Sequence, residues 1–385
     1  MRKDFLPFSK PCVSEAAIAD VCDSIRSGWL AMGPKTVDFE KKFAQYVGSK
    51  FAVAVNSATA GLHLAVMAMV KPGDEVITTP MTFASTVNAI IFAGAVPVLA
   101  DIDPNTFNID PKKLEEKITA KTKAVIPVHF AGRPCDMDAI EEIARQHGLA
   151  IIEDSAHALG AAYHGRKIGA GRGAKHTAVF SFHPTKNITT GEGGMITTDD
   201  EEVADRMSVQ RQNGMDKGAW NRFGAKGKSH YDIFVPGLKY QMMDIQAAIG
   251  RDQLKHLEQF NKRRAEIVAR YNNAFANMEG LTLPSAVEAG CVHSWHIYTP
   301  LINSDKTGFT RDAFMEKMKQ YNIGTAYHYQ AVHLFSAYGK ITGLKKGDMP
   351  VAEEIGEKIV SLPLFPAMTD QDVEDVVEAV KAVCK

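Results

Sequence analysis

From Phe51 onward the chain alternates short apolar runs with stretches of helical periodicity, and this alternation limits the fold more than any other feature. The apolar, β-rich runs cover residues 51–55, 75–79, 96–100, 123–128, 149–153, 178–182 and 195–198. Helical stretches at 59–69, 85–92, 111–118 and 137–147 lie between them. Runs this continuous are buried on both faces, and parallel strands need crossovers of about a dozen residues to join them. The pattern predicts an α/β domain: a seven-stranded, mainly parallel sheet flanked by helices, with its site at the carboxyl ends of the strands.

Ahead of the sheet, residues 13–26 read as a helix closed by Ser27-Gly28, with Ala17, Ile18, Val21 and Ile25 at helical spacing. A turn-rich loop, Trp29 to Pro34, leads to a second amphipathic helix at 37–46. After Val235-Pro236-Gly237 comes a long helical region, in which Leu257, Phe260, Ile267, Tyr271 and Phe275 keep helical register from Leu254. It reads as an interdomain helix. Residues 295–300 and 324–327, with a helix at 370–383, complete a smaller α+β domain. The expected division is 1–250 for a large domain with its N-terminal arm, and 251–385 for the interdomain helix and the small domain.

A net charge of −1, without runs of like charge, points away from nucleic acid and from an anionic membrane surface as partners. The first residues lack the apolar core of a signal peptide, and no apolar run approaches the roughly 18 residues of a membrane span. A cytoplasmic protein is expected. Cys12, Cys22, Cys135, Cys291 and Cys384 are scattered and unpaired in spacing, as reduced thiols are. No metal site is expected either, since His293 and His296, on an expected strand, would face opposite sides.

The polar loop between the last two strands is Ser181-Phe182-His183-Pro184-Thr185-Lys186-Asn187-Ile188-Thr189-Thr190-Gly191-Glu192-Gly193-Gly194. Its single lysine sits among hydroxyls and an asparagine, and three glycines follow where the backbone must turn tightly beside something bulky. Taken alone, Lys186 also reads as a surface lysine of a hairpin. The whole string, however, closely resembles the lysine motif of the DegT/StrS family of sugar aminotransferases, and the resemblance runs from about Phe8 to Val376. Members of that family use pyridoxal 5'-phosphate (PLP) and share the fold of aspartate aminotransferase, fold type I. The resemblance makes Lys186 the Schiff-base lysine.

It also assigns the remaining candidates. Asn56 to Gly61 opens a helix, whose free N–H groups attract phosphate; the resemblance gives the phosphate to Ala58, Thr59 and Ser181, although a simple helix cap reads the same way. Asp154 ends an apolar strand, where a carboxylate needs a cationic partner. A protonated pyridine nitrogen would be that partner, the alternative being a cap on the next helix. His157 matches a Gln-or-His position near the phenolic oxygen, or is a structural hydrogen-bonder. Phe83 matches an aromatic stacked on the ring, or is core. Asn187 is expected beside the cofactor.

Gly237 to Asp244 resembles the segment that reaches a neighbouring subunit's phosphate, with Lys239 where many members have Asn and Gln241 where they have Arg. An obligate homodimer with a shared active site follows from that resemblance. Trp29, His328 and Tyr329 are expected near the substrate; His333 lies in the same matching segment. The implied reaction is ping-pong transamination from L-glutamate, released as 2-oxoglutarate, through pyridoxamine 5'-phosphate, to a nucleotide-linked keto sugar. His157 points to amination at C4. Amination at C3, or of a cyclitol ketone, and a non-catalytic sensor are the rivals. The dehydrating branch of the family replaces the lysine with His, which this chain does not, and no Gly-x-Gly-x-x-Gly follows the first strand as a Rossmann dehydrogenase would require.

Overall fold

The structure is a computed structural model and describes residues 2–216 and 231–384. The first helix, α1 (Glu15–Ser27), starts at Ser14, whose hydroxyl accepts from the Ala17 N–H, and stops at Gly28 in the left-handed region. Helix α2 (Pro34–Val47) begins on a proline, which suits a first-turn position whose N–H would lack a partner anyway. Strand β1 (Phe51–Val55) and α3 (Ala58–Met69) follow, then β2 (Glu75–Thr78), α4 (Ala84–Phe92) and β3 (Val96–Leu99). The next units are α5 (Pro111–Glu115), β4 (Thr122–Ile126), α6 (Met137–His147) and β5 (Ala150–Asp154). A small hairpin of β6 (Ala162–Tyr163) and β7 (Arg166–Lys167) precedes β8 (His176–Ser181), β9 (Gly194–Thr198) and α7 (Glu201–Gln210).

Seven strands form the main sheet in the order β1-β9-β8-β5-β4-β2-β3. Only β9 runs antiparallel to its neighbours, β1 and β8; the other pairs are parallel. The expected sheet is present strand for strand. Its strands are apolar on both sides because both faces are covered: Val53, Val55, Val179 and Ile196 pack under α3, while Ala54, Ala178, Phe180 and Met195 pack under α2.

Helix α8 (Asp244–Phe275) is longer than its apolar periodicity indicates and begins ten residues before Leu254. The expected division at residue 250 falls inside it. Its first half contacts α1 and α2, and its second half packs Ile267, Val268, Tyr271 and Phe275 into a separate C-terminal core. The elements that follow are β10 (Leu281–Thr282), β11 (Leu301–Ile302), α9 (Ser304–Thr307), α10 (Arg311–Gln320), α11 (Ser336–Thr342), α12 (Pro350–Lys358) and α13 (Asp370–Val383). Helix α9 buries no residue, α11 and α12 join Val87 and Leu99 in a neighbouring cluster, and β10, β11, α10 and α13 build the C-terminal core. Leu6, from the N-terminal arm, pairs with Ile323 and is buried in the same core.

Residues 295–300 and 324–327, expected to be extended elements of this part, make only single bridges, Tyr298 to Leu362 and Ala326 to Ser361. The paired strands are β10 and β11. Trp295 has a positive φ of 48°, which breaks the alternation that a strand would impose on His293 and His296.

Candidate active site

A cleft of about 830 Å³ opens at the carboxyl ends of β1, β2, β5 and β8, where the C-terminal part closes over the sheet. Each strand delivers one chemical group. After β1, Ser57 caps α3 by accepting from the Ala60 N–H at 3.1 Å. Ala58 and Thr59 are then the first helical residues, whose N–H groups have no partner within the helix. A Cβ on Gly194 would stand 2.7 Å from the Ala58 nitrogen, so β9 approaches this helix end as closely as glycine alone allows. Ser181, the last residue of β8, lines the same pocket.

Asp154 ends β5 and is 4% exposed. Its Oδ2 accepts from Thr86 Oγ1 at 2.7 Å and its Oδ1 from the Ala156 N–H at 3.2 Å. Burial holds its pKa above the ordinary aspartate value, opposed by the Thr86 and Ala156 hydrogen bonds and by the charge of Lys186. Lys186 lies in the turn after β8, with its Nζ 3.4 Å from His296 Nε2. Loss of solvent lowers its ammonium to about 8, against the upward pull of the Asp154 carboxylate. An amine brought this close to neutrality can act as both nucleophile and base near physiological pH.

His157 and Tyr329 form a directed pair. His157 Nδ1 accepts from the Ala131 N–H at 3.2 Å, which assigns the ring proton of the neutral form to Nε2. Nε2 therefore donates to Tyr329 Oη, 3.0 Å away. Burial, the Lys186 charge and His328 keep His157 well below its usual pKa, so the neutral ring persists. Tyr329 is left with its own hydroxyl proton to donate elsewhere, and burial pushes its ionisation upward. His328 bonds Ser361 Oγ through Nδ1 at 2.8 Å, with burial first and then Lys186 lowering its pKa to about 3. Phe83 is 62% exposed and its ring lies 6.3 Å from that of Tyr329, so it belongs to the cleft and not to the core.

Ala58, Thr59, Phe83, Asp154, His157, Ser181, Lys186, His328 and Tyr329 thus meet in one cleft. Four other residues singled out in the sequence lie elsewhere in the chain. Asn187, expected at the cofactor, is buried with its amide donating to Asn261 Oδ1 at 2.7 Å and the Ser294 carbonyl at 2.9 Å. Its side chain anchors the lysine turn from behind. Trp29 sits in the turn before α2 and does not line the cleft. Lys239 is exposed and donates to Gln241 Oε1 at 2.6 Å, outside its own chain's cleft. His333 pairs with Glu353 at 2.9 Å in the core behind the cleft.

Two contributors have no counterpart among the sequence candidates. His296 approaches Lys186 from the irregular segment after α8, with its ring 4.3 Å from that of His157. Thr86 reaches Asp154 from the first turn of α4.

Residues 11–381 match the DegT/DnrJ/EryC1/StrS aminotransferase family. The chain belongs to that family. It is 50% identical, over 386 residues covering all of this chain and 98% of the relative, to the spore coat polysaccharide biosynthesis protein SpsC of Bacillus subtilis. Among solved structures it resembles the aminotransferase TlmJ from Streptoalloteichus hindustanus, with a TM-score of 0.88 and 34% identity over 98% of both chains. The sugar aminotransferase Spr1654 from Streptococcus pneumoniae, described as putative, matches in its PLP-form with a TM-score of 0.90 and 33% identity, over 99% of this chain and 98% of that one. A PMP-form of the same protein matches equally well, with a TM-score of 0.90. The architecture is therefore that of PLP-dependent sugar aminotransferases. Among the described residues, no helix is long and apolar enough to cross a membrane.

Proposed function

We propose that this protein is a PLP-dependent aminotransferase that moves an amino group from L-glutamate to the C4 ketone of a nucleotide-linked keto-deoxy sugar. The observation that carries the reading is the pairing, in one cleft, of an amine lowered to about 8 with a buried carboxylate whose two oxygens take only a threonine hydroxyl and a backbone N–H as hydrogen-bond donors among the described residues. The donor set fits the cofactor. The N–H groups of Ala58 and Thr59, which have no partner within the helix, suit its phosphate, with Ser181 beside them. Asp154 suits a protonated ring nitrogen, whose charge would offset the cost of burying the carboxylate. Phe83 is free to stack on the ring, and His157 supplies the polar edge.

When bound, the cofactor supplies the electron sink for the carbon that loses its proton. The chain supplies the rest. Lys186 would hold the cofactor, and its amine, close to neutrality, would take a proton from the substrate carbon and return it. His296, held neutral by burial and by the Lys186 charge, offers a lone pair that orients this amine. Tyr329, receiving its hydrogen bond from His157, presents a proton to an oxygen of the acceptor. Lys239 would serve the phosphate of a second copy, making the protein a homodimer with shared sites.

The visible spectrum of the purified protein with added PLP, before and after L-glutamate, tests the proposal. The expected result is a band from the lysine-bound cofactor that collapses on adding glutamate, and Lys186→Ala should never show that band. A protein that forms no band would be the non-catalytic sensor. A panel of 4-keto and 3-keto nucleotide sugars then tests the position of amination.

A further inference from the structure

Thr82 and Thr86 stand one helical turn apart where β2 passes into α4, and both are buried, Thr86 completely. Thr86 Oγ1 is 2.7 Å from Asp154 Oδ2 and 2.7 Å from Thr82 Oγ1. The direction of these bonds is forced. An ionised carboxylate only accepts, so the single hydroxyl proton of Thr86 goes to Asp154. Thr86 can then only accept from Thr82, whose proton completes the row. The other carboxylate oxygen, Oδ1, takes the Ala156 N–H, so backbone fixes one side of Asp154 and this hydroxyl row fixes the other.

We propose that Thr86, ordered by Thr82, is a positioning residue that holds the Asp154 carboxylate ionised and aimed at the cofactor's ring nitrogen. The inference rests on the cofactor reading above. Simple packing of α4 would not require a hydroxyl at Thr86, because valine has the same shape; a donor aimed at a buried anion does. The same turn places Phe83 in the cleft, so one short connection serves both the face and the nitrogen edge of the ring.

The test is PLP binding by the apoprotein across pH, with thermal unfolding of each apo variant as a control. Thr86→Val is expected to weaken PLP binding about tenfold or more, the scale of one hydrogen bond to a charged group. Removing the donor leaves the upward push of burial on Asp154 less opposed, so the acidic loss of affinity should begin at higher pH. Thr86→Ser should restore both the affinity and the pH profile. On an Asp154→Asn background the valine should change affinity by less than about twofold, since its effect passes through the carboxylate. Should valine not be accommodated in the fold, Thr86→Ala carries the same expectation. A folded Thr86→Val or Thr86→Ala protein with wild-type affinity and pH profile would overturn the inference. A wild-type protein that takes up no PLP would overturn the cofactor reading, and this inference with it.

Discussion

The amine of Lys186 is subject to two opposed influences, and their balance predicts a pH dependence. Burial favours the neutral form and the Asp154 carboxylate favours the charged one; the result is an amine lowered to about 8. Because only the neutral amine attacks an aldehyde, the rate of PLP capture by apoprotein should rise as pH increases through about 8. Asp154→Asn removes the influence that raises the value, so the midpoint should move lower; stopped-flow absorbance across pH reads both curves. A midpoint near that of a free lysine would show that the cleft does not desolvate the amine. His296 should affect a different step. With its Nε2 3.4 Å from Nζ, His296→Phe should leave PLP uptake within a few-fold and slow the glutamate half-reaction by about tenfold or more, since it removes an orienting partner of the proton-carrying amine. Single-turnover absorbance separates the two effects.

At the scale of elements, the site depends on how α8 is fastened to α2. Asp244, the first residue of α8, is fully buried and accepts from the N–H groups of Gly33, Lys35 and Thr36 and from the Thr36 hydroxyl, at 2.7 to 3.0 Å. It therefore caps the start of a helix other than its own. Asp244→Ala would leave these donors without an acceptor, and should destabilise the protein by about 2–4 kcal/mol. Chemical denaturation should show the loss, with Asp244→Asn between the two because its amide keeps one accepting oxygen. The same residues explain why α8 was only half legible in the sequence. Its first turns bury Asp244, Asp252 and Gln253, so polar residues occupy the inward positions that apolar periodicity would mark. The sheet was legible because its strands are buried on both faces and stand out as apolar runs. Lys186, Asp154 and Phe83 could be singled out only through the resemblance of their motifs to the family, because taken alone each also reads as a hairpin lysine, a helix cap and a core ring; the cleft brings all three together. The places of Asn187 and His296 were not legible: the amide partners of Asn187 lie 74 and 107 positions away, and His296 reaches Lys186 from a segment bent at Trp295. No spacing rule reaches contacts of that kind.

For the molecule as a whole, the question is where the cofactor phosphate finds its last contact. The segment carrying Lys239 runs beside β1, with the Tyr240 carbonyl accepting from the Asn56 N–H at 2.8 Å and Gln241 bridged to Val55. Tyr240 Oη meets His63, whose ring in turn packs edge-on against Phe92, a phenylalanine 68% exposed on this side of the chain. An exposed lysine next to exposed aromatic surface, outside its own cleft, suits a role across a dimer interface better than one within the monomer. The prediction is complementation. Lys239→Glu should place a repelling charge at the neighbour's phosphate and, like Lys186→Ala, should yield an inactive homodimer. When the two variants are unfolded together and refolded, half of the dimers pair one chain of each kind, and each of those holds one site with both lysines intact. Activity should then return to about a quarter of the wild-type level, the statistical limit for a shared two-site dimer. Refolded singly, neither variant should recover any. If the mixture stays inactive while sedimentation shows mixed dimers, Lys239 serves its own chain or none, and the phosphate is held by the α3 end and Ser181 alone.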